Sequence, residues 1–371
     1  MPEENRMRSL FEAGRIGNLV IPNRIVRSAT ADYLDDERGF VTPKKIDLYA
    51  RLADGGIGLI ITGTAAVYHL PGLRWPKTSY ITEDDSIPHF RRLTEAVHAR
   101  DSKIAAQLFH DGLEEGALLK GRGYEALAPS VLVEDPRPHK AMTEEEIWTL
   151  VRAFGDGARR AREAGFDAVQ LNGAHGYLFS QFLSPHTNRR KDNWGGSLEN
   201  RLRFHHEVLQ AIRSTVGVDY PVLIKLGVED AIPSGLKFTE GMEAARRLAG
   251  WGFDALEISG GIRGAEEQQS ESRPDIHTVE EEAYFRPWAR DIKRVVNVPV
   301  IMVGGLRSYE VCEDIVQKGE ADFVSMSRPF IREPGLVADW ARGDRHRATC
   351  TSCNQCSDRL EEDLICWLDI V

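Results

Sequence analysis

Eight short apolar, β-rich runs alternate with amphipathic stretches along the chain, and this alternation restricts the fold more than any other feature. The runs are NRIVRSAT (23–30), GLIITGTAAV (58–67), KIAAQLFH (103–110), DAVQLNG (167–173), PVLIKLG (221–227), DALEISGG (254–261), PVIMVGG (299–305) and ADFVSMSR (321–328). Strands joined by helices run parallel with right-handed crossovers, and eight such units close on themselves. The fold class expected is α/β, a single (β/α)8 TIM barrel, for which 371 residues is an ordinary length once insertions are counted. LFEAGRIGNLVI (10–21) predicts a hairpin turning at Gly17-Asn18 and plugging one mouth of the barrel. A helix is expected over 43–54 and another from Thr143, where Thr-Glu-Glu-Glu has the form of a capping box. The expected division is a barrel over 1–345 and a Cys-rich segment over 346–371 packed on it.

In such barrels chemistry gathers at the carboxyl ends of the strands. Those ends carry Ala29 and Thr30, Thr64, Gln107 with His110, Asn172 with His175 and Tyr177, Lys225, Ser259, Gly304 and Gly305, and Ser327 with Arg328. The small residues of VGG and SMSR leave backbone N–H groups open to an anion, and Arg328 adds a forked donor. A phosphorylated ligand is expected there, tight packing turns being the alternative. Lys225 closes a buried strand, where a cation needs an anion beside it; an ion pair with Glu229 or Asp230 is the bland reading. Taken singly, Tyr177 reads as a core tyrosine and His175 as a surface histidine. Asn172 and His175 are too few good ligands for a metal.

The net charge of −10, from 57 acidic and 47 basic residues without a basic stripe, argues against nucleic acid and anionic membrane partners. The apolar stretch over 57–67 is too short and Gly-rich to span a bilayer, and MPEENRMRSL lacks the apolar core of a signal peptide, so residence in the cytosol is expected. Four of the five cysteines lie between Cys350 and Cys366, which points to one local metal centre, with disulfides the weaker reading. The polar loops over 111–140 and 262–281 are candidate lids or subunit contacts.

The stretch from 168 to 204 unites these observations. AHGYL (174–178), QFLSP (181–185), the N-x-R-x-D-x-W-G-G-S block (188–197) and SLENRLRF (197–204) stand in the order and spacing of the old yellow enzyme family of FMN oxidoreductases. The chain resembles in particular the branch with trimethylamine dehydrogenase and 2,4-dienoyl-CoA reductase. The resemblance implies noncovalent FMN, with Ala29, Thr30, Thr64, Gln107, Lys225, Gly304, Gly305, Ser327 and Arg328 as its contacts. Within that set, Lys225 corresponds to the basic residue beside flavin N1 and the C2 carbonyl, and Gln107 to the partner of the pyrimidine edge. It also implies NAD(P)H as hydride donor, an enone-type small-molecule substrate held by Asn172 and His175, and Tyr177 as proton donor to carbon. An amine or related dehydrogenase passing electrons to an external carrier is a second reading. A barrel that binds a phosphate ligand without redox chemistry is a third.

Five departures accompany the resemblance. Leu113 stands where the family's QLxHxGR motif ends in Arg, Ala31 stands where many relatives place Cys or Thr, and Asn172 stands where many have His. Cys350, Cys353, Cys356 and Cys366 resemble the run that binds a 4Fe-4S cluster in that branch, but the last interval is shorter, and zinc or free thiols stay open. Members of that branch continue beyond the position of Val371 into a second nucleotide-binding domain. A cluster here is therefore expected to need an external electron carrier or to be structural. A homo-oligomer is expected.

Overall fold

All eight runs become parallel strands: β1 Ile25–Arg27, β2 Leu59–Ala66, β3 Lys103–Phe109, β4 Ala168–Gly173, β5 Val222–Gly227, β6 Ala255–Ser259, β7 Val300–Val303 and β8 Phe323–Met326. They pair in chain order, and β1 bonds to both β2 and β8, so the sheet closes into the expected barrel. The structure is a computed structural model that describes residues 9–262, 266, 269–357 and 364–369. Helices α1 Pro43–Asp54, α2 Ile87–His98, α3 Glu144–Glu163, α4 Leu198–Val216, α5 Phe238–Trp251, α6 Arg286–Lys293, α7 Tyr309–Gln317 and α8 Leu336–Ala341 belong to the outer layer. The capping box forms as expected: Thr143 Oγ1 accepts from the Glu146 N–H at 3.2 Å while the Glu146 carboxylate accepts from the Thr143 N–H at 2.9 Å. Among the described residues no helix is long and apolar enough to cross a membrane.

Side chains alternate across each strand, and here the alternation has an unusual sense. Val169, Leu171, Ile224, Leu226, Leu256 and Ile258 belong to the large apolar cluster shared with the helices. The lumen holds the other set, in layers. Its lowest layer is apolar, with Val26, Ile61, Ala105, Ala168, Leu223, Ala255, Ile301 and Phe323 in one buried cluster. One step up the same strands come Gln107, Gln170, Lys225, Glu257 and Ser325, all buried. The polar layer thus lies between a dry floor and the carboxyl ends of the strands.

The hairpin, Gly14–Ile16 with Leu19–Ile21, turns at Gly17-Asn18 as expected, and Gly17 takes the left-handed φ of +52°. Ile16 and Ile21 pack onto the lowest lumen layer, so the plug closes the amino end of the barrel, opposite the candidate site. Residues 111–140 form an ordered insertion with a two-stranded parallel pair, Ala126–Ala128 with His139–Ala141. Leu113 is buried there against Ala128 and Leu132, an apolar position in place of the family's Arg. Part of the 262–281 loop, residues 263–265, 267 and 268, lies outside the described residues.

The block over 188–197 acts as a brace. Asn188 Nδ2 donates to the carbonyls of Phe182 at 2.7 Å and Trp194 at 2.8 Å. Arg190 Nη1 donates to the carbonyls of Pro129 at 3.0 Å and Met142 at 2.8 Å, and Ser197 caps α4 by accepting from the Asn200 N–H. These bonds tie the insertion to the start of α4, which fixes the chain leaving β4.

Candidate active site

The polar layer is one connected network. Glu257 is fully buried; its Oε1 accepts from Lys225 Nζ at 2.9 Å, Ser28 Oγ at 2.8 Å and Ser325 Oγ at 3.0 Å. Its Oε2 accepts from Gln170 Nε2 at 2.8 Å, and Gln170 Oε1 accepts from Gln107 Nε2 at 2.7 Å. Burial pushes the Glu257 carboxyl up, but Lys225 and these hydrogen bonds outweigh it and hold the pKa below the ordinary value. Lys225 therefore has an anion beside it, though neither Glu229 nor Asp230: the β5–β6 register sets it opposite Glu257. Asn172, across the β4–β5 register from Lys225, turns its Nδ2 to Gln107 Oε1 at 3.3 Å.

Above this layer lies a cavity of about 300 Å³ that Ala29, Thr30, His175, Tyr177, Lys225, Gly304, Gly305, Ser327 and Arg328 help to line. Nine of the twelve candidate cofactor and catalytic residues thus meet in one space. Gln107 and Asn172 are hydrogen-bonded to each other beneath it, and Thr64 lines the neighbouring cavity. Thr30 Oγ1 and Ser327 Oγ, 2.8 Å apart, tie the chain after β1 to that after β8. Gly304 and Gly305 have φ of +119° and +73°, and a Cβ on either would strike the Tyr284 ring at 2.6 or 2.8 Å, so both conformation and space require glycine.

His175 also has a left-handed φ, +62°, and its Nε2 meets Ser259 Oγ at 2.8 Å. Burial, with the charge of Lys225, pushes its pKa down to about 3, so the imidazole is neutral at physiological pH. The Tyr177 ring meets Phe109 edge-on, centroids 4.7 Å apart. Burial, then the nearby Asp111 and Tyr33, push its phenol far above the usual value. It stays protonated.

Arg328 is partly engaged elsewhere: Nη1 donates to the Arg273 carbonyl at 2.9 Å and to Asn354 Oδ1 at 2.5 Å, tying the cavity to the C-terminal segment. Arg307, which the sequence reading did not single out, lines the same cavity and is buried. Its Nη1 donates to the Ile276 carbonyl, while its Nε is buried without a hydrogen-bond partner among the described residues. It stands two residues after the Gly304-Gly305 turn, and an arginine so close to an anion-cradle candidate is the available signal.

A second cavity of about 830 Å³ shares Ala31 and Tyr177 with the first, and Thr64, Trp75, Phe109 and Asp111 help to line it. Burial, then Glu115 and Glu114, push the Asp111 carboxyl up to about 7. The cavity therefore gains negative charge as pH rises through neutrality. Affinity for a carboxylate-bearing ligand should weaken several-fold between pH 6 and 8 in the unaltered chain. Asp111→Asn should flatten that profile, as ligand titrations across the range would test.

Cys350, Cys353, Cys356 and Cys366 all border one small cavity of about 20 Å³. Arg328, Ile331 and Cys356 line both this space and the larger cofactor-sized one. Among the described residues none of the four forms a disulfide, and no three His, Cys, Asp or Glu side chains surround a single metal-ion position.

The model of the NADH:flavin oxidoreductase / NADH oxidase family matches residues 9–346. The NADH oxidase of Thermoanaerobacter brockii is 38% identical over 356 residues, covering 93% of this chain and 53% of that protein. The cinnamate reductase of Clostridium sporogenes is 31% identical over 387 residues, covering 96% and 56%. The structure of 2-naphthoyl-CoA reductase with 2-naphthoyl-CoA superposes with a TM-score of 0.85 at 29% identity, over 94% of this chain and 54% of that one. The chain thus spans about half the length of these relatives. With residues 9–346 matched by that family's model, the chain belongs to the NADH:flavin oxidoreductase / NADH oxidase family, that of the old yellow enzyme.

Proposed function

We propose that the chain binds FMN noncovalently in the smaller cavity and reduces an activated carbon–carbon double bond with electrons from NAD(P)H. The observation that carries this reading is Tyr177, a neutral phenol in the wall common to both cavities. The residues fit FMN: a cation at Lys225, an amide at Gln107, two left-handed glycines, and a buried Arg307 Nε with no partner among the described residues. Arg307, Arg328, Gly304, Gly305 and Ser327 would hold the phosphate end, with Ala29, Thr30 and Thr64 at the ring. FMN supplies the hydride chemistry when bound; the chain orients the reactants and moves the proton. In that division Tyr177 gives its proton to the substrate carbon, and neutral His175 with Asn172 orients the substrate oxygen. Asn172 does so once its 3.3 Å bond to Gln107 yields. The substrates of the relatives, cinnamate and 2-naphthoyl-CoA, are conjugated acyl compounds, and a substrate of that class suits a cavity bordered by Trp75 and Phe109.

Denatured protein should release one yellow, FMN-sized chromophore per chain, and anaerobic NAD(P)H should bleach it before denaturation. A colourless chain that ignores added FMN overturns the proposal. Bleaching by an amine instead of NAD(P)H supports the dehydrogenase reading, and FMN that no donor reduces supports the non-redox barrel.

The dehydrogenase reading gains from Cys356, Arg328 and Ile331, which border both the cofactor cavity and the thiol cavity and so offer electrons a short way out. We propose a 4Fe-4S cluster at Cys350, Cys353, Cys356 and Cys366, in a segment over 346–371 that packs on a barrel over 1–345. What supports it is that the four thiols border one small cavity and keep the C-x-x-C-x-x-C spacing that resembles the cluster-binding run. Anaerobically purified protein should contain about four irons and four acid-labile sulfides per chain. One zinc without labile sulfide would decide for zinc, and neither metal for free thiols.

A further inference from the structure

We propose that Glu257 is a positioning residue that sets both the charge and the hydrogen-bond polarity of the surface FMN rests on. The inference rests on the FMN reading above. Glu257 is fully buried in the barrel lumen, four strands converge on it, and the preceding roles leave it unused.

The first consequence is electrical. Lys225 Nζ is 2.9 Å from Glu257 Oε1 and also donates to Ser28 Oγ at 2.7 Å, whose own hydrogen goes on to Glu257. The cation at the cavity floor is thus paired, and the surface it offers a ligand is close to neutral. Reduction of a flavin accumulates negative charge toward N1 and the C2 carbonyl, as does sulfite addition at N5. A paired Lys225 stabilises that charge less than a lone one does.

The second consequence is directional. A carboxylate only accepts hydrogen bonds, so Gln170 must turn its Nε2 to Glu257 and present Oε1 to Gln107. Gln107 in turn spends Nε2 on Gln170 and leaves Oε1 on the side where Asn172 now meets it. The edge that Gln107 turns away from Gln170 is therefore led by an acceptor, matched to an N–H such as flavin N3–H once the Asn172 bond yields. Glu257 fixes that choice from two side chains away.

The test uses the full chain loaded with FMN. Glu257→Gln keeps the shape and an acceptor oxygen but removes the charge. It should tighten sulfite binding at least tenfold and raise the two-electron midpoint potential by the corresponding ~30 mV or more. Gln170→Leu keeps the ion pair and cuts the amide relay, so it should weaken FMN binding about tenfold while sulfite affinity stays within about twofold. Unchanged sulfite affinity and potential in FMN-loaded Glu257→Gln overturn the charge assignment. Unchanged FMN affinity in Gln170→Leu overturns the directional one. If Glu257→Gln loses its fold or its FMN, the double variant Glu257→Gln/Lys225→Met is compared with Lys225→Met alone; tenfold tighter sulfite binding in the double supports the proposal, and equal values overturn it. An unaltered chain that takes up no FMN overturns the underlying reading before any variant is made.

Discussion

Tyr177→Phe should leave reduction of bound FMN by NAD(P)H at its original rate and slow the alkene half-reaction by about a hundredfold or more, the usual contribution of a positioned general acid. That factor corresponds to about 2.7 kcal/mol of transition-state stabilisation. The separation is expected because Tyr177 stands in the wall common to the two cavities and its phenol, raised by burial and then by Asp111 and Tyr33, is neutral throughout the working range. Phenylalanine keeps the edge-on contact with Phe109 and loses only the proton. Anaerobic stopped-flow measurement of each half-reaction checks it. Equal slowing of both would make Tyr177 a packing residue.

Lys45→Met should destabilise the barrel by about 3–5 kcal/mol, the cost of leaving a buried ion pair without one partner. Lys45, on α1, is buried with its Nζ 2.6 Å from Asp35 Oδ2, 3.1 Å from Asp32 Oδ1 and 2.6 Å from Ser79 Oγ. Burial alone would push its pKa down, yet Asp32 and Asp35 outweigh that and hold it above its ordinary value, so it is charged wherever the protein is folded. Asp35 Oδ1 is already buried without a hydrogen-bond partner, which leaves little to absorb a second loss. Burial already raises the Asp35 carboxyl and Lys45 opposes that, so without the cation Asp35 would be raised further and the folded state would bind more protons than the unfolded one. Stability of the variant should then fall as pH rises, so its deficit is largest at pH 8 and shrinks toward pH 5. Urea unfolding at both pH values measures this; a pH-independent deficit would assign the loss to packing.

What was legible in the sequence followed from local rules. Eight apolar runs with helical spacers admit few architectures besides a closed parallel barrel, and each run became a strand within three residues of its expected ends. The Thr143 capping box and the Gly17-Asn18 turn are decided by residues next to one another, so they too were readable. Glycines and polar residues at the strand ends marked the site, because a barrel leaves only that end for loops and ligands.

Other features depend on contacts between distant segments. Alternation in AVQLN gave two faces but not which one looks inward. The helix layer claimed Val169 and Leu171 and left Gln170 and Asn172 for the lumen. Strand register set Lys225 opposite Glu257 instead of its sequence neighbours Glu229 and Asp230. The 188–197 block has the composition of a covering loop, yet its donors find backbone carbonyls at Phe182, Pro129 and Met142 and make it a brace. The sequence by itself determined the barrel, the end at which the polar strand ends gather and nine of the residues that line the cavity there, since strand period and turn chemistry act over a few residues. Only the tertiary structure decided which charges neutralise each other, that Arg307 joins the site and that Asn172 faces Gln107, because closing the barrel is what brings those side chains within hydrogen-bonding distance.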